Sequence, residues 1–332
     1  MVDSPRPVAP LCSPSAHPAT KESATFTLTD AQLGALFDQI PALAGQPREI
    51  TELSGGLTNR NVRVSTPDGV FVARCSDPAG GAALGIDRDA EFFNSRAAAE
   101  AGVGAPVVDY RPDLGVLVIG FIADARTFSS DTFAEPGILP RAAAACRALH
   151  AGPRFQGDFN MFERQRGYLA TVTEGGFRIP DGYLDHAPAI DRVRQALGVQ
   201  DEGTVPCNND LLAENFLDDG EKIWLIDYEY AGNNDACFEL GNICTESRLS
   251  LDQLEELVTS YYGRRRVSRI ARARLYGIVA SYGWTLWGAI QNAVSPIDYD
   301  FWEWTMGRYE TADGGLRGPD FERLLDEVTA AD

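Results

Sequence analysis

The chain has 332 residues, 44% of them apolar and 23% charged, a globular balance that excludes a mainly disordered protein. With 29 basic against 48 acidic residues its net charge is −19, which argues against general binding to nucleic acid or to an anionic membrane, whose phosphates it would repel. Six cysteines without a Cys-x-x-Cys pair and only three histidines argue against a Cys/His zinc cluster and a secreted disulfide framework, so reduced thiols and a cytoplasmic protein are expected.

In chain order, residues 1–24 are rich in Pro, Ser and Ala and lack a continuous apolar stretch, which predicts a flexible tail rather than a secretory signal. No apolar run reaches the length of a transmembrane helix. Thr29 followed by Gln32 reads as a capping box, with Leu33, Leu36, Phe37 and Ile40 at helical spacing. Strand-like runs at Ile50–Leu53, Asn61–Val64 and Val70–Arg74, joined by short turns, predict an antiparallel meander. A helix is predicted over Asp87–Glu100, ended by Gly102. Val116–Ile122 reads as a buried strand, and Pro140–His150 as a helix. Ile223–Ile226 reads as a short strand. Beyond residue 250 the pattern is helical throughout: Leu251–Tyr262, Ser268–Asn292, Tyr299–Thr311 and a last helix after Pro319. This layout is α+β: a small lobe with an antiparallel sheet over 25–122 and a larger, mainly helical lobe over 123–332.

Four segments carry chemistry. In Cys207-Asn208-Asn209-Asp210-Leu211-Leu212-Ala213-Glu214-Asn215, followed by Ile226-Asp227, the oxygens of Asn215 and Asp227 suit magnesium, a hard cation, leaving Asp210 to accept a proton from an attacking hydroxyl. A polar loop beside a strand is the plainer reading. The second segment, Ser54-Gly55-Gly56-Leu57-Thr58-Asn59, sits between two strands. It is either a phosphate-cradling loop or a hairpin turn that needs glycine. Arg74 at a strand end and Glu91 on the next helix are either a phosphate cation with its helix carboxylate or a surface ion pair. Trp284 and Trp287 share a helix face, with Tyr299, Trp302 and Trp304 following. Such rings beside carboxylates either hold a quaternary ammonium or pack helix against helix.

Together these segments resemble the choline/ethanolamine kinase family, in its bacterial LicA-like branch, among the aminoglycoside-phosphotransferase-like kinases. The similarity runs from about Ile50 to Tyr309. It is carried by the two motif stretches above, by Ile226-Asp227-Tyr228-Glu229-Tyr230, by Phe238-Glu239-Leu240-Gly241-Asn242 and by Trp284-Thr285-Leu286-Trp287-Gly288-Ala289-Ile290-Gln291. The resemblance implies a protein-kinase-like two-lobe fold that uses ATP and Mg2+. It implies Asp210 as catalytic base and Asn215 and Asp227 as magnesium ligands. Nucleotide contacts are implied at Ser54, Gly55, Gly56, Thr58, Asn59, Arg74 and Glu91, and at Phe121 in an adenine-binding hinge near Val118–Ile122. Acceptor contacts are implied at Glu229, Tyr230, Glu246, Trp284, Trp287, Tyr299 and Trp304.

Two departures stand out. Asn208 replaces the histidine that the family places two residues before its catalytic Asp, where that ring braces the metal-binding segment. The smaller amide still donates and accepts hydrogen bonds, so altered geometry rather than lost chemistry is expected. The match also fades from Arg308-Tyr309 onward. The implied activity is phosphorylation of a small cationic alcohol, choline first. The alternatives are ethanolamine, an aminoglycoside or thiamine on the same fold, or an inactive nucleotide- or cation-binding protein. Nothing in the sequence speaks to oligomeric state.

Overall fold

In the computed structural model, residues 28–53, 56, 58–76, 81 and 84–332 are described. The expected tail over 1–24 and the loop residues Ser54 and Gly55 lie outside them. The capping box opens α1 (Asp30–Phe37): Thr29 accepts from the Gln32 amide, and the Gln32 side chain accepts from the Thr29 amide at 2.8 Å, so orphan donors at the helix start are met. Three strands follow, β1 (Glu49–Glu52), β2 (Asn59–Thr66) and β3 (Gly69–Ser76). After them come α2 (Arg88–Glu100), capped by Asp87, then β4 (Val107–Arg111) and β5 (Val116–Gly120). The strands make one antiparallel sheet in the order β1-β2-β3-β5-β4. Val62, Val64, Ala73, Cys75, Val116 and Val118 pack from it against Leu33 and Phe37 of α1, which fixes the small lobe's core. The strand β4 has no clear signal in the sequence because its register shifts between Val107 and Asp109, which breaks the alternation a strand is read by.

The larger lobe begins with β6 (Arg126–Thr127) and α3 (Ile138–His150), then α4 (Met161–Gly175) and α5 (Ala187–Leu197). Four short strands follow: β7 (Val205–Cys207), β8 (Phe216–Asp218), β9 (Ile223–Leu225) and β10 (Gly232–Asn234). The first pairs with the last, and β6-β8-β9 form a second small sheet. The chain ends in α6 (Ala236–Glu246), α7 (Leu251–Tyr262), α8 (Val267–Val294), α9 (Phe301–Arg317) and α10 (Phe321–Thr329). Neither α4 nor α5 is foreseen by the sequence reading. The first buries only Met161, Tyr168 and Val172 and so shows little periodicity, whereas α5 buries Ile190, Val193 and Leu197 at readable spacing. The helix α9 outruns its expected end at Thr311 because Gly314 and Gly315 lie inside it. A Cβ on Gly315 would collide with the Ile278 side chain, so that glycine marks helix packing rather than a stop.

Around α8 the other helices gather, which is why it is buried on nearly every side from Ser268 to Gln291. Its tightest crossing is with α6, where a Cβ on Gly241 would fall against the Ala273 carbonyl and one on Gly277 against the Gly241 carbonyl. That close approach brings the C-terminal end of α6 beside the aromatic face of α8. Among the described residues, no helix is long and apolar enough to cross a membrane.

Candidate active site

Leaving β7, the chain enters the Asn208–Asn215 loop, which is held almost entirely by buried hydrogen bonds. Glu239, fully buried on α6, accepts from the Asn208 amide at 3.0 Å and the Asn209 amide at 2.7 Å. Asn209 is left-handed, with φ at 67°, a strained state that its side chain compensates. Its Nδ2 donates to the carbonyls of Cys207, Tyr230 and Gly232, and its Oδ1 accepts from Asn234 at 2.9 Å. Behind the loop, His150 Nε2 lies 3.5 Å from Glu239 and 3.6 Å from Cys207 Sγ. Both Glu239 oxygens already accept loop amides, so this buried trio reads as a brace.

Asn208 is the residue in the histidine's place. Its Nδ2 donates to the Ile226 carbonyl at 3.1 Å and the Asp227 carbonyl at 2.8 Å, while its Oδ1 accepts from the Asp210 amide at 3.0 Å. One amide thus ties the Asp210 loop to the Asp227 segment. Asp227 is itself left-handed, with φ at 66°. On the loop's far side Asn215 Nδ2 donates to the Asp210 carbonyl at 2.7 Å. That bond assigns the amide nitrogen and leaves Oδ1 as the group Asn215 offers a cation.

The Arg74 guanidinium reaches three carboxylates from two lobes. Nε lies 3.1 Å from Glu91, Nη1 2.7 Å from Asp227 and Nη2 2.8 Å from Glu229. Arg88 joins the group at 2.6 Å from Glu91 and 3.2 Å from Glu229. Glu229, expected among the acceptor contacts, is instead held by the Arg74 and Arg88 guanidiniums of the small lobe. It also accepts from Thr58 Oγ1 at 2.7 Å and Asn59 Nδ2 at 2.8 Å. Those two side chains, expected to face phosphates, instead fasten the end of the Gly-rich loop to the large lobe. Within that loop Gly56 has φ at 92°, and a Cβ there would press on Asn61 and the Asn59 carbonyl, so the position requires glycine. The Phe121 amide, in the segment expected as a hinge, donates to the Val70 carbonyl at 3.0 Å, so that donor is already engaged within the sheet.

Charge is tuned accordingly. Burial, and then the carboxylates of Asp227, Glu246 and Glu229, push Asp210 well above the usual carboxylate range, with Arg308 pulling the other way. Burial also raises Asp227, against the pull of Arg74. Burial works on Glu229 in the same direction, but Arg74, Arg88, Thr58 and Asn59 outweigh it and hold it low.

Across the loop lie the rings. Trp284 and Trp287 of α8 are buried, as is Tyr230. Trp287 Nε1 donates to the Tyr230 hydroxyl at 2.8 Å and Trp284 Nε1 to Asn242 Oδ1 at 3.1 Å. Tyr230 meets Trp284 edge to face with ring centroids 5.2 Å apart, and the indole hydrogen bonds fix the orientations of both Trp rings. Trp304 is half-buried against Trp287 at 5.1 Å. Tyr299, 45% exposed, meets Phe301 edge to face at the outer edge. Glu246 ends α6 and pairs with Arg308 at 2.8 Å. Sequence reasoning assigned no role to Arg88, Glu239 or Arg308. The spacing of Arg88 three residues before Glu91 on one helix was a usable signal for the first; for Glu239 and Arg308 only the folded chain supplies partners.

The sequence profile of the phosphotransferase enzyme family matches residues 49–275. A crystal structure of a choline/ethanolamine kinase family protein from Mesorhizobium loti is similar at 34% identity, with a TM-score of 0.80 over 90% of this chain and 98% of that one. Protein LicA of Haemophilus influenzae is 28% identical over 249 residues, 72% of each chain. A LicA structure in complex with AMP shares the fold, with a TM-score of 0.69 at 23% identity over 85% of this chain and 96% of that one.

Proposed function

The chain belongs to the phosphotransferase enzyme family, in its choline/ethanolamine kinase branch, and from that premise we propose that it moves the γ-phosphoryl group of ATP to the hydroxyl of a small amino alcohol, choline first. The observation that supports this most is one contiguous set of groups: Arg74 on Asp227 at 2.7 Å, Asn208 linking the Asp227 carbonyl to the Asp210 amide, and Asn215 on the Asp210 carbonyl at 2.7 Å. A phosphate cation, two hard oxygen ligands and a base are then neighbours in one cleft.

Asn215 Oδ1 and the Asp227 carboxylate fit magnesium, which takes oxygen ligands and few of them from protein. When bound, magnesium offsets charge on the phosphate oxygens. The chain's own residues do the rest. Arg74 carries the planar fork that suits phosphate oxygens, held between the lobes with Nη1 on Asp227, Nη2 on Glu229 and Nε facing Glu91. Asp210 accepts the hydroxyl proton of the acceptor, and its raised proton affinity suits that task. Asn208 and Glu239 hold the backbone of the loop that carries it, so catalysis is mainly positioning and electrostatics.

Choline is put first because the acceptor end offers an aromatic face, Trp304, beside a buried carboxylate, Glu246, the two sharing one guanidinium, and that pairing suits a quaternary ammonium. The inactive alternative rested on Asn208, and that amide makes the bonds a brace must make. The test is ADP release with magnesium and ATP over a panel of choline, ethanolamine, aminoglycosides and thiamine. Turnover on choline that disappears in Asp210→Ala, with nucleotide binding kept, is the expected result. Equal turnover in that variant removes Asp210 from the base role.

A further inference from the structure

The rings and carboxylate assembled for an acceptor cation already hold one of the protein's own. Arg308 sits one turn after Trp304 on α9, and its guanidinium carbon lies 4.8 Å from the Trp304 ring centroid. Its Nη2 is 2.8 Å from Glu246 Oε2. Its other hydrogen bond, to the Thr245 carbonyl, is long at 3.4 Å. Glu246 is the last residue of α6, so the helix C-terminus adds partial negative charge at the same spot. The Glu246 side chain is only 6% exposed, yet its Oε1 is buried with no hydrogen-bond partner among the described residues. A buried carboxylate oxygen left unmatched is costly, and a ligand cation relieves it.

We propose that Arg308 is a placeholder in the acceptor's cation seat, covering Glu246 and the face of Trp304 until the ammonium group of the acceptor displaces it. This rests on the amino-alcohol reading above. Three features make Arg308 exchangeable. It has one ion-pair partner, where Arg74 has three. It is half-buried, not buried. Its stem is long and unbranched, so the head can leave the seat by rotation of side-chain bonds alone. The charges of Glu246 and Arg308 also both act on Asp210, in opposite directions. Arg308 thus sets how tightly the acceptor end takes any cation, because the apparent affinity falls by the fraction of molecules in which the seat is taken.

Choline binding by calorimetry, with KM and kcat for choline and ethanolamine, tests this in the full chain, its Arg308→Ala variant and its Arg308→Lys variant. Arg308→Ala should lower the choline dissociation constant and KM by about three- to tenfold, the competition of one half-buried ion pair, with kcat moving less. Arg308→Lys, which keeps a charge but loses the planar fork, should fall between. Should Arg308→Ala be unstable, choline should raise its Tm more than it raises the wild-type Tm, since the seat is open. Weaker choline binding in Arg308→Ala, without that rescue, would make Arg308 a fixed structural partner of Glu246 and overturn the proposal while leaving the kinase reading intact. A wild-type chain that phosphorylates neither alcohol fails the kinase reading itself, and choline bound by neither wild type nor variant overturns the placeholder with it.

Discussion

The two ends of the cleft use arginine in opposite ways. At the nucleotide end Arg74 is buried and spreads its three nitrogens over Glu91, Asp227 and Glu229, joining both lobes. At the acceptor end Arg308 is half-buried and holds one carboxylate and one ring. A cation with three fixed partners defines a geometry, whereas one with a single partner defines an equilibrium. On the proposed reading the first end orients phosphates and the second exchanges its occupant.

Breaking the first end should do the most damage. Arg74→Met takes the cation from Asp227 and leaves Glu91 and Glu229 to Arg88 alone, which should cost about 3–5 kcal/mol of stability, visible as a lower midpoint in urea unfolding, besides weakening nucleotide binding. A midpoint within error of wild type would mean that the network does not hold the lobes as described. Next is Asn208→Ala, which removes an amide that donates to two carbonyls and accepts from the Asp210 amide. The orphaned groups should cost about 1–3 kcal/mol, and turnover should fall with the loop's geometry. Asn208→His should retain most of both if the position is a brace.

The acid–base balance of Asp210 separates the two ends more finely. Because burial and three carboxylates hold its proton more tightly in the folded chain, kcat/KM should drop as pH falls through a value above the ordinary aspartate value of about 3.9. Arg308 lowers that value, so Arg308→Ala should move the acid limb to higher pH, where Arg308→Lys leaves it nearly in place. The linkage has a stability side. A raised carboxylate favours the folded state below its unfolded value, and that contribution is lost as pH rises through the folded one. Asp210→Asn should therefore raise Tm at neutral pH, and the gain should shrink in acid. A lower Tm at neutral pH would show that the Asp210 charge is not disfavoured. The smallest effect expected is at the ring. Trp304→Leu should weaken choline binding by about 0.5–2 kcal/mol, read from the choline dissociation constant, and ethanolamine less, because a primary ammonium can still donate to Glu246.

How far the sequence revealed these ends follows from the same contrast. The meander, the helix capped by Asp87 and the all-helical region after residue 250 carry local signals, namely alternation, caps and periodicity, and the elements stand within a few residues of expectation. Asp210, Asn215 and Asp227 lie in short motifs whose spacing is set by one loop and one hairpin, so their proximity was readable. Glu229 was not, because its partners Thr58, Asn59, Arg74 and Arg88 come from the other lobe, more than 140 residues away along the chain. Nor was Arg308, whose meaning arises from the α6 end and the α9 face meeting across the Gly241–Gly277 crossing. Packing also revised the aromatic reading. Trp284 and Trp287 share a helix face as expected, but they are buried beside Tyr230, whereas the half-buried Trp304 carries the Arg308 guanidinium on its face.

Phosphoryl transfer at Asp210 is what the two ends of the cleft are proposed to serve. Phosphorus NMR of the full chain with ATP, magnesium and choline tests it most directly. The expected result is a phosphomonoester resonance matching phosphocholine that grows as ADP appears, and falls by a factor of about 10²–10⁴ in Asp210→Ala. ATP consumed with only inorganic phosphate formed, or phosphocholine made at the wild-type rate by Asp210→Ala, would contradict it.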